Sequence, residues 1–174
     1  MKSRLKLPEP SLLTPAQQLV FEDIVRTRGN VEGPFLAWLL SPGLADPAQK
    51  LGAFCRFGTN LSHVETELLI LYVAAHYACT AEQQIHEPIA QKAGLSSEVI
   101  AAIRTGGVPP LATSRQRLLA DVTIELLDTK TLQETTYSKA SSQLGEVTLV
   151  EVVGVIGYYA MVAYTLNAFS FSVS

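Results

Sequence analysis

From Val152 to Ser174 the chain reads VVGVIGYYAMVAYTLNAFSFSVS, without a single Asp, Glu, Lys, Arg or His. A stretch of that length and composition has to leave water, so it enters a bilayer, a protein core or a contact with another chain. Glu151 opens it, Asn167 and several serines close it, and no Lys or Arg follows to anchor a far side. These flanks predict a core or interface helix and no membrane span. Gly154, Gly157, Ala160 and Ala163 line it with small side chains, which suits close helix packing. A second apolar run follows Glu67 in ETELLILYVAAHYAC. It is apolar on almost every side and predicts the most buried helix of the protein.

Two such segments need a partner surface, and the composition says how much is on hand. Of 174 residues 48% are apolar and only 17% charged, enough for one core and thin in ionised cover. The expectation is a single domain, residues 1–174, with some apolar surface covered by another subunit. The 13 basic and 16 acidic residues are scattered, with a net charge of −3 and no basic run, so no nucleic-acid partner is expected. Cys55 and Cys79 make no disulfide framework, which points to a reducing, cytoplasmic setting. Pro8 and Pro10 interrupt the N-terminal stretch before an apolar run develops, so no secretory signal is read there.

Helix punctuation fills the rest of the chain. Thr14 and Pro15 open a helix that ends at Gly29, and Phe35, Leu36, Leu39 and Leu40 recur at helical spacing. Asp46-Pro47 repeats the cap-then-proline opening, for a helix closing at Gly58. Ser62 with Glu65 and Thr80 with Gln83 have the spacing of capping boxes, and Gly94 suits a left-handed C-terminal residue. Pro88 lies inside the helix that Thr80 would open and should bend it. No stretch alternates convincingly over a strand's length, so the fold class is all-α.

The chemistry-bearing residues concentrate in HYACTAEQQIHEP, His76 to Pro88. Glu82 and His86 are four apart, one above the other on a helix face. Cys79 sits at the mouth of that helix, where the macrodipole favours a thiolate unless apolar packing seals the sulfur; the nearby Glu82 charge opposes it. Each residue also has a purely structural reading. A lone cysteine is commonly core, a helical histidine commonly pairs with a carboxylate, and Glu67 is favoured by the dipole at the start of its helix. His63 and His76 show no ligand-type partner, and no spacing suits zinc, so no metal is expected. The residues alone offer a thiol (Cys79), two carboxylates (Glu67 and Glu82) and an imidazole (His86) able to converge.

ETELLILYVAAHYACTAEQQIHEPIAQKAGLSSEVIAAI resembles the shared core of the carboxymuconolactone decarboxylase and alkylhydroperoxidase AhpD-like family, and GPFLAWLLSP, FCRFGTNL and LVEVVGVIGYYAMVAYTLNAF resemble its longer members. The resemblance implies an AhpD-like multi-helix bundle, a homo-oligomer (trimer or hexamer), no cofactor and a small-molecule substrate. In its peroxidase branch a glutamate, two cysteines and a histidine relay protons to a thiol. Glu67, Cys79 and His86 match three of these, while Glu82 stands where the second cysteine belongs and cannot resolve a sulfenic acid. The decarboxylase branch needs no thiol. It implies His86 as proton donor or shuttle, Glu82 or Glu67 orienting and charging it, and Cys79 lining the pocket. Two further readings stay open: a thiol peroxidase using Cys79, and a non-catalytic oligomeric binding protein on the same scaffold.

Overall fold

The computed structural model describes residues 1–173. Among them lie nine α-helices, a short 3₁₀ turn at Pro10–Leu12, and a single antiparallel bridge between Lys2 and Ser172. In order the helices are α1 (Pro15–Arg28), α2 (Pro34–Trp38), α3 (Pro42–Phe57), α4 (His63–His76), α5 (Thr80–Ala93), α6 (Ser97–Thr105), α7 (Ser114–Thr129), α8 (Glu134–Leu144) and α9 (Glu146–Ala168).

Several ends form as the sequence predicts. Thr14 caps α1: its hydroxyl accepts from the Gln17 N–H at 3.3 Å, and the Gln17 side chain accepts from the Thr14 N–H at 2.9 Å. Glu65 returns from the first turn of α4 to accept from the Ser62 N–H at 2.9 Å. Such exchanges satisfy N–H groups that a helix start leaves without partners. Gly94 ends α5 with φ +116, a value that a side chain would strain.

Two starts differ. α3 begins at Pro42, with the Ser41 carbonyl accepting from Leu44 and Ala45, and Pro47 lies inside the helix. The cap-and-proline pair in use is therefore Ser41-Pro42. Pro47 costs the bond to the Gly43 carbonyl, but Ala45 and Ala48 on the same turn are buried and hold it against the core. α5 begins one residue earlier than expected. Cys79 is its N-cap and its carbonyl accepts from Gln83, so Thr80 is already inside the helix and caps nothing. Ala78, at φ +48, turns the chain between α4 and α5.

α4 is the centre of the bundle, packed by α5, α6, α7 and α9. Leu68, Leu69, Ile70, Val73 and Ala74 are all fully buried, as its uniform apolarity requires. Each fully buried leucine or isoleucine contributes about 1.5–3 kcal/mol. α9 is long and apolar enough to cross a membrane, yet it lies along α4 and α8, with Val152, Val155 and Ala163 fully buried. Its other side, through Val147, Val150, Val153, Gly154, Gly157 and Tyr164, is exposed. Trp38 of α2 locks onto α9: its indole N–H donates to Thr165 Oγ1 at 3.0 Å, and its ring meets Phe35 and Tyr158 edge-on at 5.4 and 6.1 Å.

Candidate active site

The tight turn at Ala78 sets α4 and α5 side by side and brings Glu67 to His86. His86 Nδ1 lies 2.7 Å from Glu67 Oε2, and its Nε2 lies 3.2 Å from Glu82 Oε1. Glu67 is 0%, Glu82 3% and His86 5% exposed, so one imidazole is clamped between two carboxylates out of bulk water. Three of the residues singled out from sequence thus meet. Either carboxylate was expected to serve the ring; both do, and neither nitrogen is left over.

Burial alone would discharge the ring, but the Glu82 charge and the hydrogen bonds to Glu67 and Glu82 outweigh it and push the His86 pKa up to about 9. That keeps His86 an imidazolium at neutral pH, with Nδ1 donating to Glu67 and Nε2 in ionic contact with Glu82. Glu67 Oε1 has no hydrogen-bond partner, and Arg56 Nη2 lies 4.0 Å from it. Tyr159 closes the remaining side, its ring edge-on to the imidazole at 5.6 Å.

Cys79 is set apart from this clamp. Its sulfur is fully buried, and burial pushes its pKa up to about 11 against the backbone N–H groups of Glu82 and Ala81 that favour a thiolate. Apolar packing therefore wins over the helix start. Cys55 is likewise sealed, its pKa raised by burial to about 11. Both thiols should resist alkylation at neutral pH in the folded protein and react only once it unfolds; rapid labelling of Cys79 under native conditions would contradict this packing. His76, read from sequence as lacking a partner, has Asp128 Oδ1 3.5 Å from its Nδ1 on the far side of α4.

A cavity of about 240 Å³ opens beside the clamp. Glu82 and His86 form part of its wall; Arg28, Arg56, Phe35, Ile85, Tyr158 and Tyr159 form much of the rest. Cys79, expected to line the pocket, is not among its lining residues, because the start of α5 turns the sulfur into the core. Sequence reasoning missed Arg28, Arg56 and the tyrosine pair. The available signals were a cation inside the apolar FCRFG and a Tyr-Tyr step inside an uncharged helix.

No protein-family profile and no curated protein matches the sequence. Solved structures do match. A peroxidase-related protein from Silicibacter sp. TM1040 superposes with a TM-score of 0.81 at 18% identity, over 98% of this chain and 91% of that one. A peroxidase-related protein with an alkylhydroperoxidase AhpD core, from Ralstonia eutropha JMP134, gives 0.79 at 16% identity over 99% and 92%. The chain has the AhpD-like fold. The debrominase Bmp8 shares it, with a TM-score of 0.77 at 12% identity over 97% of this chain and 90% of its own. The AhpD-like fold agrees with the resemblance read from the α4–α5 segment, and at these identities the likeness speaks for the architecture alone.

Proposed function

We propose that the chain is a cofactor-free acid–base enzyme that decarboxylates or isomerises a small carboxylated or lactone substrate. The observation that carries this reading is the imidazolium held between two buried carboxylates, one of which, Glu82, faces the cavity. With both ring nitrogens engaged, His86 reaches the substrate through Glu82. In an isomerisation Glu82 removes a proton from one substrate carbon, leaving an enolate, and returns it to another. In a decarboxylation carbon dioxide leaves first, and the enolate carbon then takes the proton that His86 Nε2 passes to it through the Glu82 carboxylate, leaving a neutral imidazole that water reprotonates. Glu67 keeps the ring oriented and its charge compensated. The site draws on no thiol in either case, and Cys79 is packing beneath the start of α5.

A thiol peroxidase is the second reading, supported by neighbours described as peroxidase-related. The raised Cys79 pKa and the glutamate at the resolving position weigh against it. Exposed Leu51, Phe54 and Phe57 on α3, with Val147 and Val150 on α9, support assembly as a homo-oligomer, a trimer or hexamer, and the free thiols support a cytoplasmic setting.

The test offers purified protein a carboxymuconolactone-type acid and, separately, a hydroperoxide with a dithiol reductant. His86→Ala and Glu82→Gln should abolish turnover of the acid by at least about a hundredfold, and Cys79→Ser should retain most of it. The reverse order, with a sulfenic acid trapped on Cys79 after peroxide, would establish the redox reading. Variants that melt the protein while no substrate turns over would leave a binding scaffold.

A further inference from the structure

Two arginines line the cavity without a close carboxylate partner. Arg28 reaches in from the end of α1, with its guanidinium carbon 4.6 Å above the Phe35 ring and Nη2 donating to the Gln49 carbonyl at 3.2 Å. No carboxylate pairs with it among the described residues, and its Nε is buried without a partner. Arg56, stacked on Phe57 at 5.2 Å, also has a buried Nε without a partner, and its approach to Glu67 at 4.0 Å is too long for a hydrogen bond. Two guanidiniums present ten N–H donors, and the protein accepts very few of them.

Around the site Glu67 and Glu82 are taken up by His86, and the remaining carboxylate, Glu32, stands at the exposed rim without an ion pair to either arginine among the described residues. Burial holds the Arg28 pKa below the ordinary arginine value, the mark of a cation short of counter-charge. Tyr158 and Tyr159 add two phenols on the same wall, kept neutral by burial. An unpaired charge among apolar walls is costly unless an ion of opposite sign completes it, and a planar carboxylate matches the guanidinium fork.

We propose that Arg28 and Arg56 form the receptor for one carboxylate of a small acid substrate, and that Arg28 is the residue that selects acids over their neutral analogues. The inference rests on the acid–base reading above and adds the group by which that substrate is held. The size agrees: about 240 Å³ lies below the range of about 300–1,000 Å³ usual for drug-sized ligands, so the partner is a compact ring or short chain lying against Phe35, Ile85 and Ile89. It also divides the labour within the substrate. A carboxylate paired with arginine is stabilised in the ground state, and loss of carbon dioxide would carry its charge away from that pairing. The held carboxylate is therefore a handle, and proton movement takes place at another carbon, the one presented to Glu82.

Trp38 touches two cavity-lining rings and is the protein's single tryptophan, so its fluorescence reports occupancy. Wild-type protein should be titrated with benzoate and cyclohexanecarboxylate, and with benzamide and cyclohexanecarboxamide. Each acid should bind at least about tenfold more tightly than its amide. Arg28→Gln should erase that preference and leave amide binding as it was, while Arg28→Lys restores part of it. Arg56→Gln serves as the second variant should the first fail to fold. Equal binding of acid and amide, binding of neither acid, or an unchanged preference in both arginine variants would overturn the proposal. The titration needs no turnover. An inactive protein that still selects acids through Arg28 would refute the acid–base reading and leave the receptor standing; an active one without the preference would do the opposite.

Discussion

His86→Leu should cost the fold about 3–5 kcal/mol at neutral pH, measured by urea unfolding, although the substitution preserves volume and adds an apolar group to the interior. The reason is what it leaves behind. Glu67 and Glu82, both almost wholly buried, lose the cation between them and retain only Arg56 at 4.0 Å from one oxygen. Wild-type stability should also depend on pH in a direction set by the histidine. Its folded pKa of about 9 lies above the ordinary 6.5, so its contribution is complete below the lower value and lost as pH rises through the upper. Unfolding free energy should therefore fall by about 3 kcal/mol between the two, and His86→Leu should remove that slope. A wild-type profile flat over this window would mean that the ring is not charged between its carboxylates.

Gly52→Ala should be the most damaging single-methyl addition in α3. A Cβ at Gly52 would lie 2.1 Å from the Tyr158 hydroxyl, 2.4 Å from its Cζ and 2.9 Å from Arg28 Nη2. Tyr158 is buried and flanked by Trp38 and Tyr159, so only the cavity side is open to it. The cost should be about 1–3 kcal/mol, with the tyrosine and the arginine both displaced towards the cavity. Gly43→Ala supplies the control in the same helix. Nothing lies within 4 Å of its added Cβ, so the gain in helix propensity, about 0.5–1 kcal/mol, should appear as stabilisation. If the two variants melted alike, α3 and α9 would be packed more loosely than the distances state.

These residues also show how far the chain could be read before its fold was seen. The α4–α5 segment was legible because its logic is local: apolar continuity after Glu67, a four-residue step from Glu82 to His86, and a glycine at the end of α5. The starts of α3 and α5 were misplaced because a cap-like signal, Asp46-Pro47 and Thr80, lies just inside each helix, while burial of Ala45, Ala48 and Cys79 sets the start ahead of it. The cavity wall was not legible. Arg28, Arg56 and Tyr158 come from α1, α3 and α9, and no spacing rule links residues so far apart. The state of Cys79 turned on the same limit, since dipole and packing oppose each other and only the fold says which prevails.

That division of the site has a consequence for its history. The clamp on His86 is built from one helical hairpin closed by the turn at Ala78, so it forms from neighbours in sequence and survives as a unit. The opposite wall of the cavity, with Arg28, Phe35, Arg56 and Tyr158, comes from segments far from it in the chain. Substitutions in α1, α3 or α9 are therefore free to change what the cavity admits while the clamped imidazole stays as it was. A lineage built on this plan can reshape the cavity without rebuilding the clamp.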